Sequence, residues 1–179
     1  IAASWRAMNS RVESMPRVMR MWLRTAASTS TARLRPGATA SVTVGISTPR
    51  ISWVPERDFI TDWVRQRWGA TWASECDTAC VRQPVSCFVA LAAGKLAGFA
   101  CHEATYKNFF GPFGVDPAQQ RRGIGEALLL TTLHDMAAQG YAYAIIGGAG
   151  PGEFFTRVAG AIPIADSTPG IYRGMLRSP

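Results

Sequence analysis

The stretch that decides the fold is VDPAQQRRGIGEALL, residues 115–129. An apolar, strand-like run at 109–115 leads into it. A helical pattern then continues to Gln139, with one apolar face. That face is made of Leu129, Leu130, Leu133, Met136 and Ala137. The glycines at 123 and 125 therefore stand where a strand is expected to turn into a helix, and Gly140 is expected to end that helix.

The start of this helix has the features of an anion site. The first N–H groups of a helix have no acceptor within it, and the helix dipole is positive at this end, so a pyrophosphate is a suitable ligand. A Cβ at Gly123 or Gly125 would hold phosphates away from the backbone. Each backbone hydrogen bond to a charged group contributes about 1.5–3 kcal/mol. An exposed arginine such as Arg121 or Arg122 contributes about 0.2–1 kcal/mol, so the backbone is expected to dominate.

Two other phosphate motifs fit the sequence less well. A nucleoside-triphosphate loop requires G-x-x-x-x-G-K-[ST], which the sequence does not contain. A dinucleotide fingerprint requires a third glycine at position 128, which is Leu128, and an early strand–helix–strand unit. The glycine-rich turn is therefore expected to serve a different phosphate ligand.

The remaining pattern alternates between strand-like and helical runs. Strands are predicted at 41–47, 86–91, 96–102, 109–115, 141–146, 161–164 and 171–176. Helices are predicted at 56–68, 72–82 and 153–159, and another runs from the glycine-rich turn at 120–125 to residue 139. Neighbouring strands come first and a strand–helix–strand unit follows, so the expected class is α+β, with a mixed and mostly antiparallel central sheet flanked by helices.

The glycine-rich turn resembles the signature [Q/R]-x-x-G-x-[G/A] of the GNAT superfamily of N-acetyltransferases, with its V-x-P lead-in at residues 115–117. The resemblance extends over about 41–179. It implies an acyl-CoA N-acyltransferase fold with a V-shaped splay in the sheet, and acetyl-CoA as the acyl donor. It also implies that the CoA pyrophosphate binds the backbone of 121–126, and that the pantetheine arm pairs like an added strand with 113–115, in the splay beside 141–146. The residues implied are Phe113, Gly114, Val115, Gln120, Arg121, Arg122, Gly123, Ile124, Gly125, Glu126 and Phe155.

The catalytic residues are harder to assign. Family members often have a tyrosine early in the last helix that protonates the leaving thiolate, and the matching position here is Phe155, which cannot donate a proton. Tyr172 or water could substitute, although Tyr172 could instead pack as an edge aromatic. Glu103 is the first candidate for the general base, followed by His102 or a water chain. A solvated carboxylate at a strand end is an equally good interpretation of Glu103.

The expected function is acetyl transfer from acetyl-CoA to an unidentified primary amine, by direct attack in a ternary complex. The acceptor is a small molecule or a peptide, and a homodimer is left open. Its pocket is expected between the first two helices and the closing strands, near Trp63, Trp68, Trp72 and Glu75, although aromatic residues at helical spacing commonly form core. The alternative function is a non-catalytic acyl-CoA-binding sensor or scaffold.

The positive charge is concentrated at the start of the sequence. Residues 1–40 hold seven arginines and one acid, Glu13, so they carry +6 of the net charge of +7. They are predicted to be a disordered basic leader or an organelle transit peptide, and 41–179 the acetyltransferase domain. The domain is close to neutral, so no nucleic-acid partner is expected. No apolar run approaches the length of about 20 residues that a membrane span requires.

The four cysteines, at positions 76, 80, 87 and 101, form no C-x-x-C pair, and the two histidines lie far apart. The sequence therefore predicts no metal. The cysteines are interpreted as small buried apolar residues in a reducing, cytoplasmic protein.

Overall fold

A computed structural model describes residues 2–4, 49–150, 152–167 and 170–176 of the chain. Within these residues the strands are β1 (Ala2–Ser4), β2 (Arg50–Ile51), β3 (Cys87–Ala92), β4 (Lys95–His102), β5 (Phe109–Val115) and β6 (Tyr143–Ile146). The helices are α1 (Arg57–Trp68), α2 (Ala70–Val81), α3 (Ile124–Ala138) and α4 (Gly152–Ala159). The strands form a single mixed sheet flanked by helices, which confirms the predicted α+β class.

The order of strands in the sheet is β1-β6-β5-β4-β3-β2. β5 and β6 are parallel, and the other described pairs are antiparallel. The parallel pairing joins Phe109 to Ile145 and Phe110 to Ile146 and ends there, while β5 continues to Val115. The two strands therefore separate after Phe110, which is the predicted splay.

Helices cover both faces of this sheet because side chains alternate along each strand. In β3, Cys87 and Val89 pack with α1 and α2. Phe88 and Ala90 of the same strand pack on the opposite face, against α3 and α4. The buried leucines of α3 lie in this second core, at positions 128, 129, 130 and 133.

Residues with positive φ make two of the short connections, the one between α1 and α2 and the one between β3 and β4. Gly69, at φ +89°, ends α1 by donating its N–H to the carbonyl of Arg65 at 3.0 Å, and α2 begins at the next residue. The turn between β3 and β4 is the predicted Ala93-Gly94 pair, at φ +49° and +75°. Backbone of this kind favours glycine because a Cβ is strained in it.

The two predicted closing strands are wrong. Ile162 is a single bridge residue within 161–164, and a 3-10 turn, Gly170–Tyr172, overlaps the start of the range 171–176. Gly174 follows at φ +77°, which is incompatible with an extended strand. The edge of β6 that does not face β5 pairs with β1.

Two further predictions concern residues outside the described ranges. The first predicted strand, 41–47, lies entirely there, and so does most of the predicted leader, of which the structure describes only Ala2–Ser4. The boundary at residue 40 therefore stays a prediction. Among the described helices, none combines the length and apolar character required to cross a bilayer.

Candidate active site

The turn between β5 and α3, residues 116–123, is referred to below as the phosphate loop. Asp116 holds its first half in place. One carboxylate oxygen accepts a hydrogen bond from the N–H of Ala118 at 3.0 Å, and the other accepts from Arg67 Nε at 3.0 Å and Nη2 at 2.9 Å. Because Arg67 belongs to α1, these contacts fix the loop relative to the helices on the opposite side of β5.

The second half of the phosphate loop depends on left-handed backbone. Arg121 has φ +59° and Gly123 has φ +81°, and Gly123 is the N-cap of α3. No heavy atom would lie within 4 Å of a Cβ built on Gly123. The space beside Gly123 is therefore open to an incoming group, and glycine is favoured here by the backbone conformation.

Gly125 is required for a different reason from Gly123. A Cβ at Gly125 would lie 3.3 Å from the ring of Phe113 and 3.6 Å from that of Phe154. The second glycine therefore lets the first turn of α3 approach β5. Ile124 between them is 1% exposed, so its side chain belongs to the core and only its backbone can face a ligand.

The side chains of β5 next to the splay pack into the two hydrophobic cores. Phe113 stacks on Phe154, with ring centroids 5.9 Å apart and an interplanar angle of 11°. On the other face a Cβ at Gly114 would lie 2.6 Å from the ring of Trp68, so glycine lets that ring pack on the strand. The backbone edge of β5 is therefore the part of 111–115 that faces the gap between the separated strands.

Three tryptophans named as acceptor-pocket candidates, Trp63, Trp68 and Trp72, pack together. Trp68 stacks on Trp72 at 5.8 Å and lies 5.3 Å from Trp63 between ring centroids. Trp63 is 8% exposed. The core interpretation therefore describes them better than a pocket.

Phe155 does not lie at the surface of the site. It is 4% exposed and packs edge-to-face on Phe110 at 6.2 Å. Its neighbour Phe154 is half-buried and contacts both Phe113 and the position beside Gly125. Sequence analysis missed Phe154, because two adjacent phenylalanines on a short helix do not reveal which of them faces the core.

Tyr172 comes to the splay from the closing segment. A Cβ on Gly147, the residue after β6, would lie 2.6 Å from the Tyr172 hydroxyl oxygen and 3.2 Å from the ring of Phe109. The tyrosine also hydrogen-bonds with Thr105, whose hydroxyl donates to the carboxylate of Glu75. We refer to Glu75, Thr105 and Tyr172 as the acceptor cluster.

The acceptor cluster keeps the Tyr172 hydroxyl protonated. Burial raises the pKa of Tyr172 above its usual value of 10.0, and the nearby Glu75 carboxylate raises the pKa further. The hydrogen bond with Thr105 opposes these two effects without cancelling them. A phenol of this kind carries a proton at neutral pH and can therefore serve as a proton donor.

Glu103, the predicted base, has other partners. Its side chain is 4% exposed, and its carboxylate accepts hydrogen bonds from Arg82 Nη2 and from the Tyr141 hydroxyl. These contacts tie Glu103, the residue after β4, to Arg82, the residue after α2, and to Tyr141, two residues before β6. Its role as the base stays a prediction, but the two donors oppose it because they occupy the carboxylate oxygens.

The second candidate base, His102, lies on the α3 side of the sheet. It is 1% exposed, and its Nε2 lies 2.8 Å from Asp135 Oδ2. Its ring stacks near Phe88, with centroids 6.3 Å apart. Tyr172 is therefore connected to Glu75 through Thr105. His102 is instead bonded to Asp135, and Glu103 to Arg82 and Tyr141.

The sequence profile of the acetyltransferase (GNAT) family matches residues 53–149, which is more than half of the chain. The matched range contains α1, α2, β3 to β6 and the phosphate loop. No curated protein matches the sequence.

Three solved structures are similar at low sequence identity. A GNAT family acetyltransferase from Brucella melitensis in complex with acetyl-CoA is 19% identical, with a TM-score of 0.46 over 64% of this chain and 81% of that one. A GCN5-related N-acetyltransferase from Ralstonia eutropha JMP134 is 17% identical, with a TM-score of 0.48 over 68% and 95%. A candidate acetyltransferase from Pyrococcus horikoshii is 17% identical, with a TM-score of 0.47 over 69% of this chain and only 44% of its own length.

Proposed function

This chain belongs to the acetyltransferase (GNAT) family, and from that premise we propose that it transfers an acetyl group from acetyl-CoA to a primary amine by direct attack in a ternary complex. The observation that carries the proposal is the arrangement along β5. The strand begins beside Gly147 and Tyr172 and ends at the phosphate loop. A cofactor arm extended along the unpaired part of β5 would bring its thioester to the Tyr172 hydroxyl.

Binding of acetyl-CoA is proposed to rest on backbone groups. The pyrophosphate would accept hydrogen bonds from N–H groups of residues 120–126, where Gly123 leaves open space. The pantetheine amides would pair with the backbone of 113–115, as an added strand does at a sheet edge. Phe154 would contact the arm from the α4 side. Phe155 would support Phe110 and Phe113 from the core.

The chemistry requires three proton movements. The acceptor ammonium loses a proton, and its nitrogen attacks the thioester carbonyl carbon to form the C–N bond. The nitrogen then loses a second proton to solvent as the amide forms, and the C–S bond breaks. We propose that Tyr172 gives its hydroxyl proton to the departing thiolate and regains one from solvent. Glu75 would attract the acceptor ammonium and take its proton directly or through water. Glu103, the earlier candidate for the base, would instead hold β4 and β6 in position.

The acceptor is proposed to be a cationic amine, either a small molecule or a peptide N-terminus or side chain. The support is the Glu75 carboxylate in the acceptor cluster, which is half-buried and close enough to influence the pKa of Tyr172. The cytoplasm is the proposed compartment, since all four cysteines are buried and without disulfides. Neither a nucleic acid nor a membrane is proposed as a partner, and a homodimer remains open.

Turnover and binding together test this function. Thiol release from acetyl-CoA would be measured against a panel of polyamines, aminoglycosides, amino acids and peptides, alongside calorimetric titration of CoA. Binding with turnover on an amine supports the proposal and identifies the acceptor class. Binding without turnover on every amine would favour a non-catalytic acyl-CoA sensor, and absence of CoA binding would refute both.

A further inference from the structure

The four cysteines converge on one side of the sheet, although they are scattered in sequence. Cys76 and Cys80 lie on α2, Cys87 begins β3 and Cys101 lies opposite it on β4. All four are free and at most 1% exposed. They lie in the core between the sheet and the helices α1 and α2, away from the proposed acetyl-CoA surface on the β5 edge.

Three of these thiols have the spacing of metal ligands. The Sγ atoms of Cys76, Cys80 and Cys87 all lie within 4.8 Å of one another, and those of Cys76 and Cys87 are 3.9 Å apart. Zn–S bonds of about 2.3 Å separate the sulfurs by roughly 3.8 Å in a tetrahedral site and roughly 4.0 Å in a trigonal one. The fourth thiol, Cys101, falls outside this mutual range.

The backbone explains how the three sulfurs meet. Cys76 and Cys80 are four residues apart on α2, so their side chains lie one above the other on the same helix face. Cys87 then enters from β3, at the position paired with Cys101 of β4. Two ligands from a helix and one from a strand can approach an ion from different directions.

Polar groups around Cys80 suit a thiolate. The hydroxyl of Ser52, which is itself 2% exposed, donates to Cys80 Sγ at 3.6 Å. The guanidinium of Arg57 interacts electrostatically with the same sulfur and also pairs with Asp58 and Asp77. A hydroxyl donor next to a sulfur is the kind of contact that orients a metal ligand and stabilises its negative charge.

We propose that Cys76, Cys80 and Cys87 bind a single thiophilic d10 metal ion, Zn²⁺ or Cu⁺, that joins α2 to β3. Each thiol loses its proton to solvent and forms one S–metal bond, and the ion keeps its oxidation state. Three thiolates leave one net negative charge with Zn²⁺ and two with Cu⁺, and the Ser52 hydroxyl is placed to donate a hydrogen bond to the Cys80 thiolate. Soft sulfur ligands select these ions over Mg²⁺ or Ca²⁺.

Without the ion these thiols hold their protons. The hydrogen bond with Cys76 lowers the pKa of Cys80, but the hydrogen bond with Cys87 and burial outweigh it and raise that pKa to about 12. The hydrogen bonds with Cys101 and with Cys80 raise the pKa of Cys76 as well. Metal binding at neutral pH must therefore release the thiol protons, and this release can be measured.

The full chain, reduced and stripped of metal, would be titrated anaerobically with Zn²⁺ in one series and with Cu⁺ in another, in competition with a chromophoric chelator. We expect stoichiometric binding of one of the two ions, proton release on binding, and a higher melting temperature. Retention of neither ion after desalting, with an unchanged melting temperature, would overturn the proposal. The two series distinguish zinc from copper.

Matched variants test the ligand set. Cys80→Ser is expected to weaken metal affinity by at least 100-fold, roughly the upper end of what loss of an outer-shell partner costs. Cys101→Ser removes an equally buried thiol and is expected to leave affinity unchanged. Ser52→Ala keeps all four thiols and is expected to weaken affinity about tenfold. Equal losses in Cys80→Ser and Cys101→Ser, or no loss in Ser52→Ala, would refute the assignment.

Discussion

The phosphate loop and the acceptor cluster lie at opposite ends of β5, and they are built in different ways. The loop consists of consecutive residues whose proposed ligand contacts are backbone N–H groups. The acceptor cluster brings together Glu75 of α2, Thr105 of the β4–β5 connection and Tyr172 of the closing segment. Its proposed contacts are all made by side chains.

This difference separates the two halves of the proposed reaction. A backbone site tolerates many side chains, because glycine at the positive-φ position and the start of a helix are its main requirements. A side-chain site changes with each residue that contributes to it. Cofactor binding should therefore be general to the fold, whereas the acceptor should depend on the few side chains gathered beside Gly147.

The largest expected effect is that of Tyr172→Phe. Removing the proposed acid should lower kcat by about 10²–10⁴-fold, the usual contribution of a placed acid or base. The affinity for CoA should stay unchanged, because the phosphate loop is at the other end of β5. Steady-state kinetics and calorimetric titration would measure the two quantities.

The pH profile gives this variant a second test. Because the pKa of Tyr172 is raised, its protonated and active form persists to pH values above 10, and activity should fall only as the pH rises through that pKa. Tyr172→Phe should lack this alkaline decline. A variant with unchanged kcat and the same alkaline decline would show that Tyr172 only packs against Gly147.

Gly123→Val is expected to weaken CoA binding by about 100-fold. Valine at φ +81° costs on the order of 1–3 kcal/mol of strain, and relief of that strain would misdirect N–H groups that contribute about 1.5–3 kcal/mol each. Gly140→Val is the control, since Gly140 has φ +95° and open space around it but lies after α3. It should destabilise the fold and leave the CoA affinity intact, and similar affinities in the two variants would contradict the backbone site.

Glu75→Gln and Glu103→Gln should affect different quantities, the kinetic constants in the first variant and the stability of the fold in the second. Glu75→Gln should raise KM for a cationic amine about tenfold, because a hydrogen bond to a charged group is lost, and it should lower kcat by about 10²-fold, because an amide cannot take the acceptor's proton. Glu103→Gln should instead lower the free energy of unfolding by about 1–3 kcal/mol, because Arg82 and Tyr141 lose their charged acceptor. Kinetics and urea unfolding would separate these effects, and a large fall in kcat in Glu103→Gln alone would restore Glu103 as the base.

The smallest expected effect is that of Arg121→Ala. Alanine keeps the Cβ at φ +59°, so the backbone strain is unchanged, and only an exposed charge contributing about 0.2–1 kcal/mol is removed. The dissociation constant for CoA should rise less than about fivefold in calorimetric titration. A loss equal to that of Gly123→Val would show that side-chain charge, and not the backbone, binds the phosphates.

Most of the sheet and its helices followed the sequence pattern. β5 matches its predicted range, and α3 agrees to within a few residues. Side-chain alternation and helical spacing are local patterns, so strands and helices can be recognised in a short stretch of sequence. The prediction of closing strands is wrong because isoleucines at 162, 164 and 171 give a strand-like pattern in the sequence, although β1 is the strand that pairs with the outer edge of β6.

The candidate site was only partly predictable. The glycine-rich turn and Tyr172 could be named from sequence, but the partner of Tyr172 could not. Glu103 follows β4 and Glu75 lies in the middle of α2, and both are acidic residues. Their difference arises because Arg82 and Tyr141 fold against one of them, and Thr105 and Tyr172 against the other.

The sequence by itself determined the strand–turn–helix with its two glycines, and through it the family and the expected acyl donor. Those features are set by residues in direct succession, whose backbone preferences do not depend on distant contacts. The tertiary structure alone decided that Gly125 serves packing, that Phe154 and not Phe155 faces the site, and that three cysteines share one space. These contacts depend on which distant segments pack against each other across the sheet, and the spacing of residues along the sequence does not specify that packing.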